Sequence, residues 1–324
     1  MKLIIQIPCY NEASTLPIAL DAIPKEKLLK IHGINEVEIL IIDDGSKDKT
    51  SRVARAWGVD HIVRFTRNQG LAKGFMAGLD ACLRNGADII VNTDADNQYC
   101  ADDIEILIQP IINRKADIVI GERPILKTEH FSPIKKALQR FGSFIVRRAS
   151  NSKIPDAPSG FRAYTRDAAM RLNVTGRYTY TLETIVQAGR EHMAMTSVPI
   201  RTNEDLRPSR LASSMISYVN RSMITIIRTY VMYRPILFFM SLGSIFLVVG
   251  SATMIRFLYF YFTVGGAGHI QSLVISSMFI ITGVNAFVVG ILSDVIRAQR
   301  KILEDVQYRV RKFDYRFSKD EDDD

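Results

Sequence analysis

The first third of the chain alternates short apolar runs with helical patterns. Leu3–Ile7 is a nearly unbroken apolar run that predicts a buried strand. Ala13–Ile23 has helical spacing and a cap near Asn11. Val37–Ile42 predicts a second strand, ending at Asp43-Asp44-Gly45-Ser46, and Asp48–Trp57 a helix. Ile62–Phe65 predicts a third strand, Leu71–Arg84 a helix and Ile89–Asn92 a fourth strand. Strands that alternate with helices in this way imply an α/β domain whose mostly parallel sheet carries helices on both faces.

Residues 121–210 are less regular and more polar, and read as loops and helices. Ser213–Tyr233 is apolar with arginines at intervals of about two turns, Arg221 and Arg228, which fits an amphipathic helix on a membrane surface or an ordinary surface helix. Two long uncharged runs then follow, Ile236–Ile255 and Ile270–Ser293, separated by Gly265-Gly266-Ala267-Gly268. Each is long enough to cross a hydrocarbon core of about 30 Å as a helix. Two buried helices of a soluble core would be the alternative, but the length and lack of charge favour lipid. Ile302–Phe313 predicts a shorter charged helix after the second span, and Lys319–Asp324 an acidic tail. The expected division is 1–212, the α/β domain; 213–234, a juxtamembrane helix; 235–294, a transmembrane hairpin; and 295–324, a charged helix and tail.

Charge adds orientation. The net charge of +8 comes largely from Arg207, Arg210, Arg221, Arg228 and Arg234 before the first run and Arg297, Arg300, Lys301, Arg309, Arg311 and Lys312 after the second. By the positive-inside rule both ends lie in the cytoplasm. The same basic flanks suit an anionic bilayer surface and anionic substrates. No nucleic-acid motif accompanies them, so nucleic acid is not an expected partner. Met1–Pro8 reads as a strand rather than a signal peptide. Cys9, Cys82 and Cys100 are scattered and odd in number, which points to a reducing compartment. His32, His61, His130, His192 and His269 are too dispersed to form a ligand set.

The chemistry-bearing clusters fall at the carboxyl ends of the predicted strands, where open α/β sheets bind ligands. Asn11-Glu12 follows the first strand, Asp43-Asp44 the second, Arg67-Asn68 the third and Asp94-Ala95-Asp96 the fourth. On an extended or turning segment Asp94 and Asp96 point the same way and can approach one hard cation, with Gln98 as a further oxygen donor. Asp43 could accept from ribose hydroxyls or a base N–H, or could cap the helix that follows. Arg123, Arg162, Arg207 and Arg210 are candidates for phosphate contact, because a guanidinium matches phosphate oxygens in pairs.

Together these segments resemble family 2 glycosyltransferases of the dolichol-phosphate-mannose synthase and polyprenyl-phosphate glycosyltransferase type. The segments are Ile7–Glu12, Ile42–Thr50, Asn68–Gly74, Asp94–Gln98, Gly121–Arg123 and Asp156–Arg162, and the resemblance covers roughly residues 1–212. It implies a GT-A fold, Mg²⁺ or Mn²⁺, and an inverting transfer from a UDP- or GDP-linked sugar to a polyprenyl phosphate at the cytoplasmic membrane face. It places Pro8, Tyr10, Glu12, Asp43, Asn68, Lys73, Asp94 and Ala95 at the nucleotide. Asp94, Asp96 and Gln98 go to the metal. Asp96, Arg123, Asp156 and Arg162 are the expected catalytic group, with Asp156 the nearest acid where some relatives carry one in place of Gly160. Ser159, Arg207 and Arg210 are the expected contacts to the acceptor phosphate. Here the acceptor loop reads Arg207-Pro208-Ser209-Arg210, where relatives often have Gly-x-Ser-Lys. The Gln-x-x-Arg-Trp motif of processive synthases is missing, and the single tryptophan is Trp57. A different lipid acceptor, a non-catalytic scaffold and a homo-oligomer stay open at this stage.

Overall fold

The computed structural model describes residues 1–124, 154–174, 180–203, 234–265 and 268–321, together with residues 224, 228 and 231. The juxtamembrane segment and the loop holding Arg207 and Arg210 lie almost wholly outside these residues, as does His130. The chain divides into two units, Met1–Ile226 with Glu304–Asp324, and Ile227–Leu303.

The first unit is built on β1 (Lys2–Cys9), β2 (Glu36–Asp43), β3 (His61–Arg64), β4 (Ile89–Asn92), β5 (Ile118–Glu122), β6 (Arg162–Thr165) and β7 (Met195–Pro199). The helices are α1 (Leu16–Asp21), α2 (Lys25–Leu29), α3 (Thr50–Trp57), α4 (Leu71–Arg84), α5 (Ile104–Ile112), α6 (Arg166–Arg171) and α7 (Thr181–Arg190). The strands form one sheet in the order β3-β2-β1-β4-β6-β5-β7. Alternate residues of the central strands serve opposite cores. Leu3, Ile5, Ile7, Ile39, Ile41, Ile89 and Val91 pack with Leu16 and Leu20 of α1 and Leu107 and Ile108 of α5. On the other face Ile4, Ile42 and Ile90 are fully buried on the side where Phe75 of α4 meets Tyr164 of β6, ring centres 5.8 Å apart. Burial of both faces explains the unbroken apolar runs, and each such side chain contributes about 1.5–3 kcal/mol.

The elements expected up to Asn92 are all present, with the first helix shortened to α1 and followed by a separate α2. Beyond Asn92 the structure adds order that the sequence pattern had not indicated, namely β5, β6 and β7. Strands β1, β2, β3 and β4 pair in parallel, as do β5 and β7, whereas β6 is antiparallel to both its neighbours. Asn92 at the end of β4 faces Arg162 at the start of β6. The loop that enters β6 therefore arrives at the carboxyl ends of β4 and β5.

The second unit holds α8 (Pro235–Val264) and most of α9 (Ile270–Glu321). The shorter charged helix expected over Ile302–Phe313 is not separate: α9 runs through it unbroken for 52 residues. Nothing between Ser293 and Ile302 breaks a helix, since neither Gly nor Pro occurs there. Both helices are long and apolar enough to cross a membrane. Their outward side chains are apolar: Val248, Met278 and Phe262 are 69%, 70% and 80% exposed. A soluble-core pair would have buried them. The helices meet through glycines. A Cβ on Gly243 would come within 2.6 Å of the Phe287 ring and 2.9 Å of the Gly283 carbonyl oxygen. One on Gly283 would lie 2.9 Å from Leu247. Small residues at a helix crossing let backbones approach, the main source of packing energy in lipid.

The end of α9 belongs to the first unit and packs on α4 and α6. The Tyr308 hydroxyl donates to Asp167 at 2.6 Å, and the Arg171 guanidinium lies 4.1 Å over the Tyr308 ring. Arg311 donates to the carbonyls of Met170 and Leu172 at 3.1 and 2.9 Å, satisfying the open end of α6. Tyr315 bonds the Asp80 carboxylate, and Arg84 pairs with Asp314 at 3.3 Å.

Replacing Gly243 or Gly283 with Leu is expected to destabilise the helix pair by about 1–3 kcal/mol, the usual cost of overpacking. Thermal unfolding in detergent checks this, and a midpoint equal to the native one would show that the helices do not meet there.

Candidate active site

The rim begins where β1 and β2 end, with Cys9 opposite Asp43. Asn11 takes the left-handed conformation, φ 55°, which turns the chain sharply after the strand. Its backbone N–H donates to Ser46 at 2.9 Å, and its side-chain oxygen accepts from Lys47 N–H at 2.8 Å. The Glu12 backbone N–H donates to Thr50 at 2.9 Å, and its buried carboxylate accepts from the Thr15 hydroxyl at 2.7 Å. Pro8 is half-buried and Tyr10 is exposed.

Asp43 is completely buried. One oxygen accepts from Ser46 N–H at 2.8 Å, the other from the Ser51 hydroxyl, and Arg64 stands 3.6 Å away. Of the two roles open from the sequence, the turn-closing one is visible in these contacts. Asp44 bridges to the next loop, accepting from Gln69 N–H at 2.7 Å and Gly70 N–H at 2.9 Å. Burial raises its pKa, against the lowering effect of those two donors. Asn68 and Lys73 flank this bridge and are exposed, with the Lys73 ammonium 3.2 Å from Gln69 Oε1.

The Asp94–Gln98 turn follows β4. Asp94 and Asp96 are half-buried, and Ala95 between them is buried. Gln98 N–H donates to Asp96 at 3.2 Å, and Asn97 is left-handed at φ 56°. The turn is held from outside by Asn203, whose amide donates to the Asn97 carbonyl at 2.8 Å and whose N–H donates to the Gln98 carbonyl at 2.9 Å. Cys9, buried between the two halves of the rim, feels both. Burial pushes its thiol pKa well up, and the Glu12, Asp43 and Asp94 carboxylates add to that.

From the other side comes the loop that enters β6. A Cβ on Gly160 would lie only 3.3 and 3.4 Å from the two Asp94 carboxylate oxygens and 3.1 Å from the Tyr180 hydroxyl. Arg123, just past β5, grips Asp156 through Nε at 2.8 Å and NH2 at 3.0 Å. Burial works against the Arg123 charge, and Tyr99 and Asp156 beside it more than offset this, leaving its pKa raised.

The structure thus gathers Asp94, Asp96, Arg123 and Asp156 at one rim but alters what two other candidates can do. Arg162 is fully buried, and its guanidinium donates to the Ser159 carbonyl, the Thr184 hydroxyl and the Ala157 carbonyl, each at 2.7 Å. It folds the loop rather than facing solvent. Ser159 is also fully buried, and its hydroxyl has no hydrogen-bond partner among the described residues. Neither presents a surface to an acceptor phosphate in this conformation. Sequence reasoning missed Asn92, Tyr99, Tyr180 and Asn203. Asn92 closes an apolar strand and Tyr99 follows the Asp-Ala-Asp-Asn-Gln segment directly, so a polar residue at a rim position was the available signal. Tyr180 had none.

Residues 4–172 match the family described as glycosyl transferase family 2. The chain belongs to that family. It is a glycosyltransferase, and its fold is GT-A. It is 29% identical over 218 residues to a UDP-N-acetylglucosamine–dolichyl-phosphate N-acetylglucosaminyltransferase of Methanococcus voltae, covering 60% of this chain and 83% of that one. It is 26% identical over 227 residues to a polyprenol monophosphomannose synthase of Mycolicibacterium smegmatis, covering 66% and 83%. Among solved structures, glucosyl-3-phosphoglycerate synthase of Mycobacterium tuberculosis, crystallised with Mn²⁺, UDP and glucosyl-3-phosphoglycerate, superposes with a TM-score of 0.54 at 17% identity, covering 71% of this chain and 78% of that one.

Arg162→Met is expected to destabilise the first unit by about 2–4 kcal/mol, because it strands two buried carbonyls and a hydroxyl. Urea unfolding of the full chain in detergent measures this. Native stability combined with lost transfer would instead mark Arg162 as a substrate contact.

Proposed function

We propose that this glycosyltransferase moves a sugar from a UDP- or GDP-linked donor to a polyprenyl phosphate, with inversion, at the cytoplasmic face of a membrane. The observation that carries the reading is the meeting of the Asp94–Gln98 turn with the β6 loop at Gly160, beside the Arg123–Asp156 pair. The named activities of the relatives from Methanococcus voltae and Mycolicibacterium smegmatis support the acceptor class.

The donor set at the turn fits a hard divalent ion. It offers two carboxylates at the end of a strand, and among the described residues no cluster of three His, Cys, Asp or Glu side chains stands ready as a closed cage. Magnesium and manganese sites of this kind take their remaining ligands from substrate phosphates and water. When bound there, Mg²⁺ or Mn²⁺ would offset the charge gathering on the departing nucleoside diphosphate.

Tyr10 at the mouth and the Asn11–Ser46 turn would receive the nucleoside, and Asn68 and Lys73 would line the same mouth. The acceptor brings its own nucleophile. A phosphate monoester has a second pKa of about 6 and is mostly dianionic near neutral pH. Its oxygen attacks the anomeric carbon on the face opposite the diphosphate, and the breaking C–O bond leaves its electron pair on the nucleotide. No strong protein base is required, which agrees with an Asp156 carboxylate gripped on both oxygens by Arg123. Arg207 and Arg210 follow Asn203 closely in the chain, and Asn203 is bonded to the Asp94–Gln98 turn, so those two arginines are the proposed clamp on the acceptor phosphate. Apolar α8 and α9 would hold the enzyme to the membrane that carries such an acceptor.

Asp96→Asn is expected to lower transfer to polyprenyl phosphate by about 10²-fold or more while leaving the thermal unfolding midpoint near native. Chelation should remove activity, and added Mn²⁺ or Mg²⁺ restore it. The labelled product should be released by mild acid, as a phosphate-linked sugar is. A product stable to mild acid would end the polyprenyl-phosphate reading, and full activity of Asp96→Asn would end the metal reading.

A further inference from the structure

The Asp94–Gln98 turn is bracketed by two side chains that seize the same residue from opposite directions. Asn92 precedes the turn, is fully buried, and donates from its amide nitrogen to the Gly160 carbonyl at 2.9 Å and to the Tyr180 hydroxyl at 2.8 Å. Its oxygen accepts from Gln6 at 3.0 Å, which fixes the orientation of the amide. Tyr99 follows the turn, and its hydroxyl accepts from the Gly160 N–H at 3.0 Å. Tyr180 arrives from a third element, the start of α7, and donates to the Gly160 carbonyl at 3.3 Å. Its ring is stacked on Phe75 at 3.9 Å, with planes 5° apart, and the Tyr99 ring is stacked on Phe161 at 5.1 Å. Both backbone polar groups of Gly160 are therefore held by side chains, and the glycine forms the floor directly under the Asp94 carboxylate.

We infer that Asn92, Tyr99 and Tyr180 are positioning residues that fix Gly160 as a rigid floor beneath Asp94 and so set the affinity of the Asp94–Asp96 pair for a divalent cation. The inference rests on the metal reading above. The physical reason is geometric. A hard cation needs its carboxylate oxygens held to a fraction of an ångström, and outer partners do that work in metal sites generally. Here the floor has no side chain of its own to adjust, so any drift of the β6 loop moves directly against the carboxylate.

The test uses the full chain in detergent with Tyr180→Phe and Tyr99→Phe, each of which keeps its ring stack and removes only the hydroxyl. Mn²⁺ binding is measured by calorimetry in the presence of UDP and, separately, of GDP, alongside the Mn²⁺ concentration that gives half-maximal transfer. The expected result is a loss of Mn²⁺ affinity of about tenfold in each variant. Transfer at saturating Mn²⁺ should return to within about threefold of native, since the reacting groups themselves are unchanged. Unchanged Mn²⁺ affinity in both variants would overturn the inference, as would a fall in transfer that saturating Mn²⁺ does not repair. Asp94→Asn serves as the reference. Native Mn²⁺ binding by that variant would sink the metal reading itself, whereas its loss alongside native binding by the tyrosine variants would sink only the positioning role.

Discussion

Asn92 and Arg162 face each other across β4 and β6, the first of the two strand pairs at which the sheet reverses direction. Because β6 runs against β4, its entry loop is delivered to the carboxyl rim of the parallel strands, where the conserved direction of a doubly wound sheet would otherwise leave only outgoing loops. Gly160, Asp156 and Ala157 reach the site for that reason alone. The buried charge of Arg162 makes the arrangement stiff. An ion removed from water is tolerated only when it is well hydrogen-bonded, and here each of its three nitrogens finds a partner in the loop itself or on α7.

A site built this way stabilises charge more than it performs acid–base work. The Asp94 and Asp96 carboxylates stand at the rim, and the buried acid of the β6 loop, Asp156, is already joined to Arg123. Burial raises the pKa of the tyrosines around Gly160. Fixed dipoles and charges of this kind need no rearrangement when charge develops on a leaving group. A phosphate acceptor suits such a site because it supplies a charged nucleophile without help.

The second unit follows a different physics. Between two helices that cross a membrane there would be no gain from hiding apolar surface, so close backbone approach would have to supply the attraction. Gly243 and Gly283 allow it, and the exposed Val248, Met278 and Phe262 are the matching outer surface. The end of α9, by contrast, joins the first unit through hydroxyl–carboxylate and arginine–carbonyl bonds, such as Tyr308 to Asp167 and Arg311 to Leu172.

Periodicity made the first half of the sheet and both apolar helices legible, because burial on two faces and the composition needed to cross a membrane each leave an unbroken apolar run that local reading detects. The Asp94–Gln98 turn was legible too, since its residues are adjacent and lie at a strand end. Strands β5, β6 and β7 were not recognised, and β6 spans only Arg162–Thr165, too few residues to carry a period. The roles of Arg162 and Ser159 were hidden as well: an arginine and a serine in a polar loop read as surface groups until partners far away in sequence, such as Thr184, enclose them. Position along the chain settles which side chains can act together within one turn. Whether Gly160 lies under Asp94, and whether Tyr180 reaches it, depends on strand direction and on contacts between residues tens of positions apart, and only the folded chain decides those.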